Sequence, residues 1–184
     1  MHKLKYSESL KELRKRINEW KKERISDEEM MNYLKKIVKE SENPMKLIDA
    51  FIFMGNKQKV ENIVKKIDLT ILNKYKKFVL HEASKLFKMT EYFEIFFAII
   101  YLFLGVHYLF SFKSLLYIVG GVILLGLSVE SKRLKNKLEN NIEQVIRECS
   151  ILSIISIFVN VLVSIFYLNI RRYLTDRRFI IFES

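Results

Sequence analysis

Six small or polar residues recur at regular spacing in a largely apolar run near the C-terminus: Cys149, Ser153, Ser156, Asn160, Ser164 and Tyr167. Their spacings of 4, 3, 4, 4 and 3 place them on one stripe of an α-helix. Hydroxyls and an amide in such a row offer hydrogen bonds; no general base or metal-ligand set accompanies them. Two uses fit that chemistry. The stripe can join neighbouring helices where lipid supplies no hydrophobic drive. Alternatively it can line a watery path through an oligomer. Small-residue faces are the common packing device, so packing is the expected use.

Two further rows repeat the spacing. Glu94, Ala98, Tyr101, Gly105 and Tyr108 form one, and Ser114, Tyr117, Gly121, Leu124 and Ser128 the other. The candidates for span packing or pore lining are therefore Ser153, Ser156, Asn160, Ser164, Tyr167, Tyr101, Tyr108 and Gly121. An unpaired amide in lipid is costly. Asn160 is thus expected to bond Tyr101, Tyr108 or the Asn160 of a second copy. Glu94 falls at the edge of its apolar run, where solvation or pairing with Lys88 or a lysine of the 130–148 stalk is expected. His107 is expected to be interfacial rather than a proton relay, because ionisable groups take on function when deep in the membrane.

No catalytic pattern occurs. HExxH, GxSxG, Walker A and GxGxxG sequences are all missing. His2, His81 and His107 are far apart, and the single cysteine, Cys149, has Glu148 and Ser150 beside it rather than a base. Neither an enzyme nor a bound cofactor or metal is expected. A single cysteine allows no intrachain disulfide, and the polar start MHKLKYSESLKEL has no apolar core for a cleavable signal.

The elements that must carry these rows follow from hydrophobic patterning. Ile95–Val129 contains one charged residue, Lys113. Its 35 residues would make one helix of about 52 Å, against a bilayer core of about 30 Å. A split at Ser111–Ser114 gives two spans joined by a tight link. A third block, 149–170, has no charge and is closed by Arg171 and Arg172. Between them, Leu134, Leu138, Ile142 and Ile146 recur every fourth residue, with a turn expected at Asn140–Asn141. Upstream, short amphipathic helices are expected over 7–24, from a Ser26–Glu29 capping box to about Lys39, from Asn43–Pro44 to Gly55, around Val60–Ile67, and from Asp68 onward.

Residues 1–91 hold 22 Lys and Arg against 14 acidic residues, a net charge of +8 of the total +11, so this part is basic and polar. Lys85, Lys88, Lys132, Arg133 and Lys135 flank the apolar runs and are candidates for anionic lipid headgroups. Basic flanks also favour a cytoplasmic N-terminus. Nucleic acid is not the expected partner, since the basic segment lacks interleaved aromatics and a helix-turn-helix signal. The sequence thus predicts an all-α integral membrane protein of the cell membrane. A cytoplasmic helical domain (1–91) precedes a three-helix transmembrane bundle (92–184). Its spans fall at about 93–112, 114–129 and 149–170, with a basic stalk at 130–148. The expected role is a non-enzymatic membrane anchor for a cytoplasmic protein. Trp20, Phe51, Phe53 and Tyr75 are the candidate contacts wherever they are exposed. A homo-oligomeric pore lined by the third span is the alternative.

Overall fold

The computed structural model describes residues 4–64, 66–109 and 111–182. Every regular element among them is helical: α1 Tyr6–Lys21, α2 Asp27–Glu40, α3 Pro44–Met54, α4 Lys57–Val64, α5 Leu69–His107, α6 Phe112–Lys137, α7 Ile142–Ile157, α8 Val161–Asp176 and α9 Arg178–Phe182. An isolated bridge joins Leu4 to Ser41. Two compact units divide the chain. One is Met1–Phe78 with Asp176–Ser184, and the other is Val79–Thr175.

The first unit is built on the apolar faces of α1–α4. Leu13, Ile17 and Trp20 of α1 are buried, as are Met30, Leu34 and Ile37 of α2 and Leu47, Ile48 and Phe51 of α3. The Trp20 ring stacks on Phe51 at 5.7 Å, and its indole N–H donates to Asp27 at 2.7 Å. The polar tip of this large core residue is therefore satisfied. The start of α2 is a complete capping box: Ser26 Oγ accepts from the Glu29 amide at 3.1 Å, and Glu29 accepts from the Ser26 amide at 2.8 Å. Pro44 opens α3, but the Asn43 side chain makes no cap bond. Asp68 caps α5 through the Thr70 amide and hydroxyl, both at 2.8 Å. Those bonds hold the exposed Asp68 carboxyl below its usual range.

The tail belongs to this unit. Arg177, 4 % exposed, makes a bidentate ion pair with Asp49 of α3, at 2.6 Å from Nε and 2.8 Å from Nη2. Tyr75 donates to the same carboxylate at 2.7 Å.

In the second unit α5 and α6 form an antiparallel hairpin. α5 is one helix of 39 residues, about 58 Å long, and runs unbroken through residue 91. Ser114 donates to the Gly105 carbonyl at 2.7 Å near the closed end. A Cβ at Gly121 would lie 2.8 Å from Leu102, and one at Gly105 would lie 2.6 Å from Ile118. These two glycines let the helices approach closely. α6 ends at Lys137, and Asn141 caps α7 by accepting from the Gln144 amide at 3.1 Å. The chain reverses at Asn140–Asn141, and Arg133 reaches Glu148 across the turn at 2.6 Å.

The third apolar block departs from expectation. It is not one helix: α7 stops at Ile157 and α8 starts at Val161. The Ser156 carbonyl accepts from both the Val159 and Asn160 amides, which tightens the last turn of α7. Asn160 Oδ1 then accepts from the amides of Leu162 and Val163, at 3.0 and 3.4 Å, as the cap of α8. α8 folds back antiparallel to α7, and Ser164 Oγ donates to the Ser153 carbonyl at 2.8 Å. In a straight helix those two residues would stand about 16 Å apart. The expected bundle of three single-helix spans is therefore replaced by two hairpins, α5–α6 and α7–α8. Among the described residues, only α5 and α6 are long and apolar enough to cross a membrane.

Removing Arg177 leaves Asp49, a quarter exposed and still bonded by Tyr75, without its cation, which should cost about 2–3 kcal/mol, less than a fully buried pair would lose. Arg177→Ala is expected to lower the stability of the full chain by roughly that amount in a detergent-solubilised denaturant titration. Arg171→Ala, at an exposed residue, should leave it unchanged.

Candidate functional site

The reversal at Asn160 changes what the polar stripe means. Cys149, Ser153 and Ser156 lie on α7, while Ser164 and Tyr167 lie on α8; all five are buried. One lane on one helix has become two facing sides of a seam. Its hydroxyls find backbone acceptors: Ser153 donates to the Ser150 carbonyl at 2.8 Å and Ser156 to the Ser153 carbonyl at 3.1 Å. The Asn160 side chain caps α8 through its oxygen rather than bonding Tyr101 or Tyr108. Tyr101 instead donates to the neighbouring Val159 carbonyl at 2.9 Å, fixing the tip of the α7–α8 hairpin against α5. Tyr108 is exposed beyond α5 and stacks on Tyr117 at 6.0 Å. Gly121 is buried against Leu102 and the Ala98 carbonyl.

The most polar point of this unit is one the sequence pattern placed at the solvent edge. Glu94 is fully buried. Its Oε1 accepts from the Tyr167 hydroxyl at 2.6 Å, and the Tyr167 and Ser131 hydroxyls are 2.9 Å apart. The Leu127 carbonyl lies at 3.3 Å from the same phenol. A phenol has one proton, so the short contact to Glu94 takes it and Ser131 donates to the Tyr167 oxygen. Lys88 is exposed and does not reach Glu94. The reason is helical register: Glu94 shares its face with Ala98 and Tyr101, which point into the bundle. Glu94 Oε2 has no hydrogen-bond partner. Phe93 stacks on Phe166 at 4.8 Å one step along, so α5 and α8 are joined through adjacent aromatic and polar contacts.

Outside the seam the surface is apolar. The most apolar 18-residue windows of α5 and α6 are only 22 % and 28 % buried. Phe103 is 71 % exposed, Phe112 76 % and Phe158 86 %. The core helices of a soluble fold would bury these residues; an apolar surface this large requires a non-aqueous or protein cover. Above the belt the basic candidates divide. Lys85 pairs with Glu82 at 2.7 Å, and Arg133 pairs with Glu130 and Glu148, both at 2.6 Å. Lys88 and Lys132 are exposed and Lys135 is half-buried.

In the first unit three of the four candidate aromatics are core. Trp20, Phe51 and Tyr75 are fully or almost fully buried, whereas Phe53 on α3 is 72 % exposed. Tyr33 is half-buried, and burial together with the neighbouring Glu12 pushes its phenol up to about 12. Among the described residues no cluster of three or more His, Cys, Asp or Glu is arranged to hold a metal. His81 and His107 are exposed, and His2 lies outside the described residues.

The seam makes a clear test. Tyr167→Phe strips Glu94 of its donor and should cost about 1–3 kcal/mol, the usual penalty for orphaning a buried polar group. The double variant Glu94→Leu/Tyr167→Phe should recover most of that loss, because removing both partners is nearly neutral. Thermal unfolding of the two variants and of Glu94→Leu completes the double-mutant cycle.

No protein family, curated protein or solved structure matches this chain, so its role has to be argued from its own residues.

Proposed function

We propose that this chain is an integral membrane protein that crosses the bilayer twice, through α5 and α6, and presents its basic helical unit as an interaction module on the cytoplasmic side. The carrying observation is the exposure of the apolar faces of both long helices, with windows only 22 % and 28 % buried. Lipid is the cover that fits a belt with charge confined to its ends.

The two-crossing topology is supported by the return of α8 toward the start of α5. Val159 lies beside Tyr101, and Tyr167 beside Glu94. In this topology 31 of the 32 Lys and Arg residues share one side, with only Lys113 opposite. A third crossing would instead send Arg171, Arg172, Arg177 and Arg178 outward with Lys113. The positive-inside bias therefore favours two crossings and a cytoplasmic N-terminus and tail. The pore alternative is the weaker reading, since the hydroxyls of Ser153, Ser156 and Ser164 are each bonded to a backbone carbonyl. Phe53, exposed on α3, is the candidate anchor for a cytoplasmic protein.

Two measurements test this reading. Tags at the two termini should both be cleaved by protease from one face of sealed vesicles, and the protein should resist carbonate extraction. Protection of one tag alone would overturn the topology. Phe53→Glu should leave integration intact yet release a cytoplasmic protein retained by the parent chain. Loss of an aromatic anchor costs about 2 kcal/mol or more of binding, roughly thirtyfold in Kd.

A further inference from the structure

The α7–α8 hairpin is too short to match the α5–α6 hairpin beside it. Its apolar segments, Cys149–Ile157 and Val161–Ile170, are nine and ten residues and extend about 13–15 Å. That is about half of a bilayer core. The position of the tip agrees. Val159 bonds Tyr101 and faces Gly120. Past that level α5 continues six residues to His107, and α6 has already run eight residues from Phe112. Roughly 9–12 Å of the α5–α6 pair therefore projects beyond the tip. The tip itself is apolar and open: Phe158 is 86 % exposed, Val161 60 % and Leu162 53 %.

We infer that α7–α8 is a wedge in one leaflet of the membrane, and that the protein favours membranes curved so that this leaflet is convex. The inference rests on the two-crossing reading given above. Four helices occupy the leaflet that α5 enters first, and two occupy the other. With helix diameters of about 10–12 Å, the excess is roughly 160–230 Å² of cross-section on one side. The occupant of the exposed hairpin face is the acyl chains of that leaflet. The exposed Arg171 and Lys132 sit at its charged rim, which complements anionic headgroups there. A body wider in one leaflet deforms a flat bilayer, and such deformation costs are enough to sort proteins among membranes.

The experiment reconstitutes the full chain into vesicles of neutral and anionic phospholipid spanning small, highly curved and large, nearly flat diameters. Protease cleavage selects molecules with both termini outside. Their density per unit area is expected to rise a few-fold from the flat to the curved vesicles. The variant Phe158→Asp/Leu162→Asp, which drives the tip from the mid-plane, should abolish that rise while α5–α6 still integrates. A density independent of diameter in the parent chain overturns the inference. So does a dimer, seen by photobleaching steps, in which Phe158 is cross-linked to a second copy, because protein rather than lipid would then cover the tip. Failure of the two-crossing reading is a separate result: the chain is extracted by carbonate, or its termini lie on opposite faces.

Discussion

The ion pair between Asp49 and Arg177 ties the end of the chain back to its third helix. A guanidinium near the C-terminus is bound bidentately by a carboxylate on the third helix, and Tyr75 completes the site. The pair closes a chain segment that contains both hairpins of the second unit. Whatever path residues 79–175 take, it must return Arg177 to α3. An odd number of crossings between them would leave the cation and its carboxylate on opposite sides of a membrane. The two hairpins satisfy the constraint: each goes out and comes back.

Within the second unit the polar groups are placed where helices meet and the apolar groups where they do not. Serine hydroxyls bond to carbonyls along α7 or across to it, glycines admit close approach between α5 and α6, and Tyr167 brings Glu94 and Ser131 together from three helices. Under the membrane reading proposed above, these are the devices that join helices where hydrophobic burial cannot drive association. The first unit uses the opposite logic. It buries Trp20, Phe51 and the Leu and Ile faces of α1–α4 and leaves lysine and glutamate outside, as a water-soluble helical domain does. One chain thus carries two burial patterns, and the change occurs along α5 without a break in the helix.

Much of this was legible in sequence. The Ser26–Glu29 box, Pro44 at the start of α3, Asp68 before α5 and the turn at Asn140–Asn141 all act locally, so residue type and spacing identify them. The faces of α1–α4 follow from their 3.6-residue period. The second apolar hairpin was not legible in the same way. Asn160 has the same role at the start of α8 that Asn141 has at the start of α7. Around Asn141 the polar neighbours announce a turn; around Asn160 every neighbour is apolar, and the run reads as one uninterrupted helix. An asparagine in the middle of a long apolar block was the available signal, and it fits a cap as well as a packing residue. Glu94 was misplaced for a related reason: its sequence neighbours suggest a boundary, while its register turns it inward.

By itself the sequence determined the all-helical class, the basic polar first half, the two long apolar helices and the identity of the small and polar faces. These properties depend on composition and short-range period. The tertiary structure alone decided that the last apolar block folds back, that its stripe is a seam between two helices, that Glu94 meets Tyr167, and that Arg177 returns to Asp49. Each of these depends on contacts between residues far apart in the chain. No local pattern encodes such distances, because they are set by how whole helices close on one another.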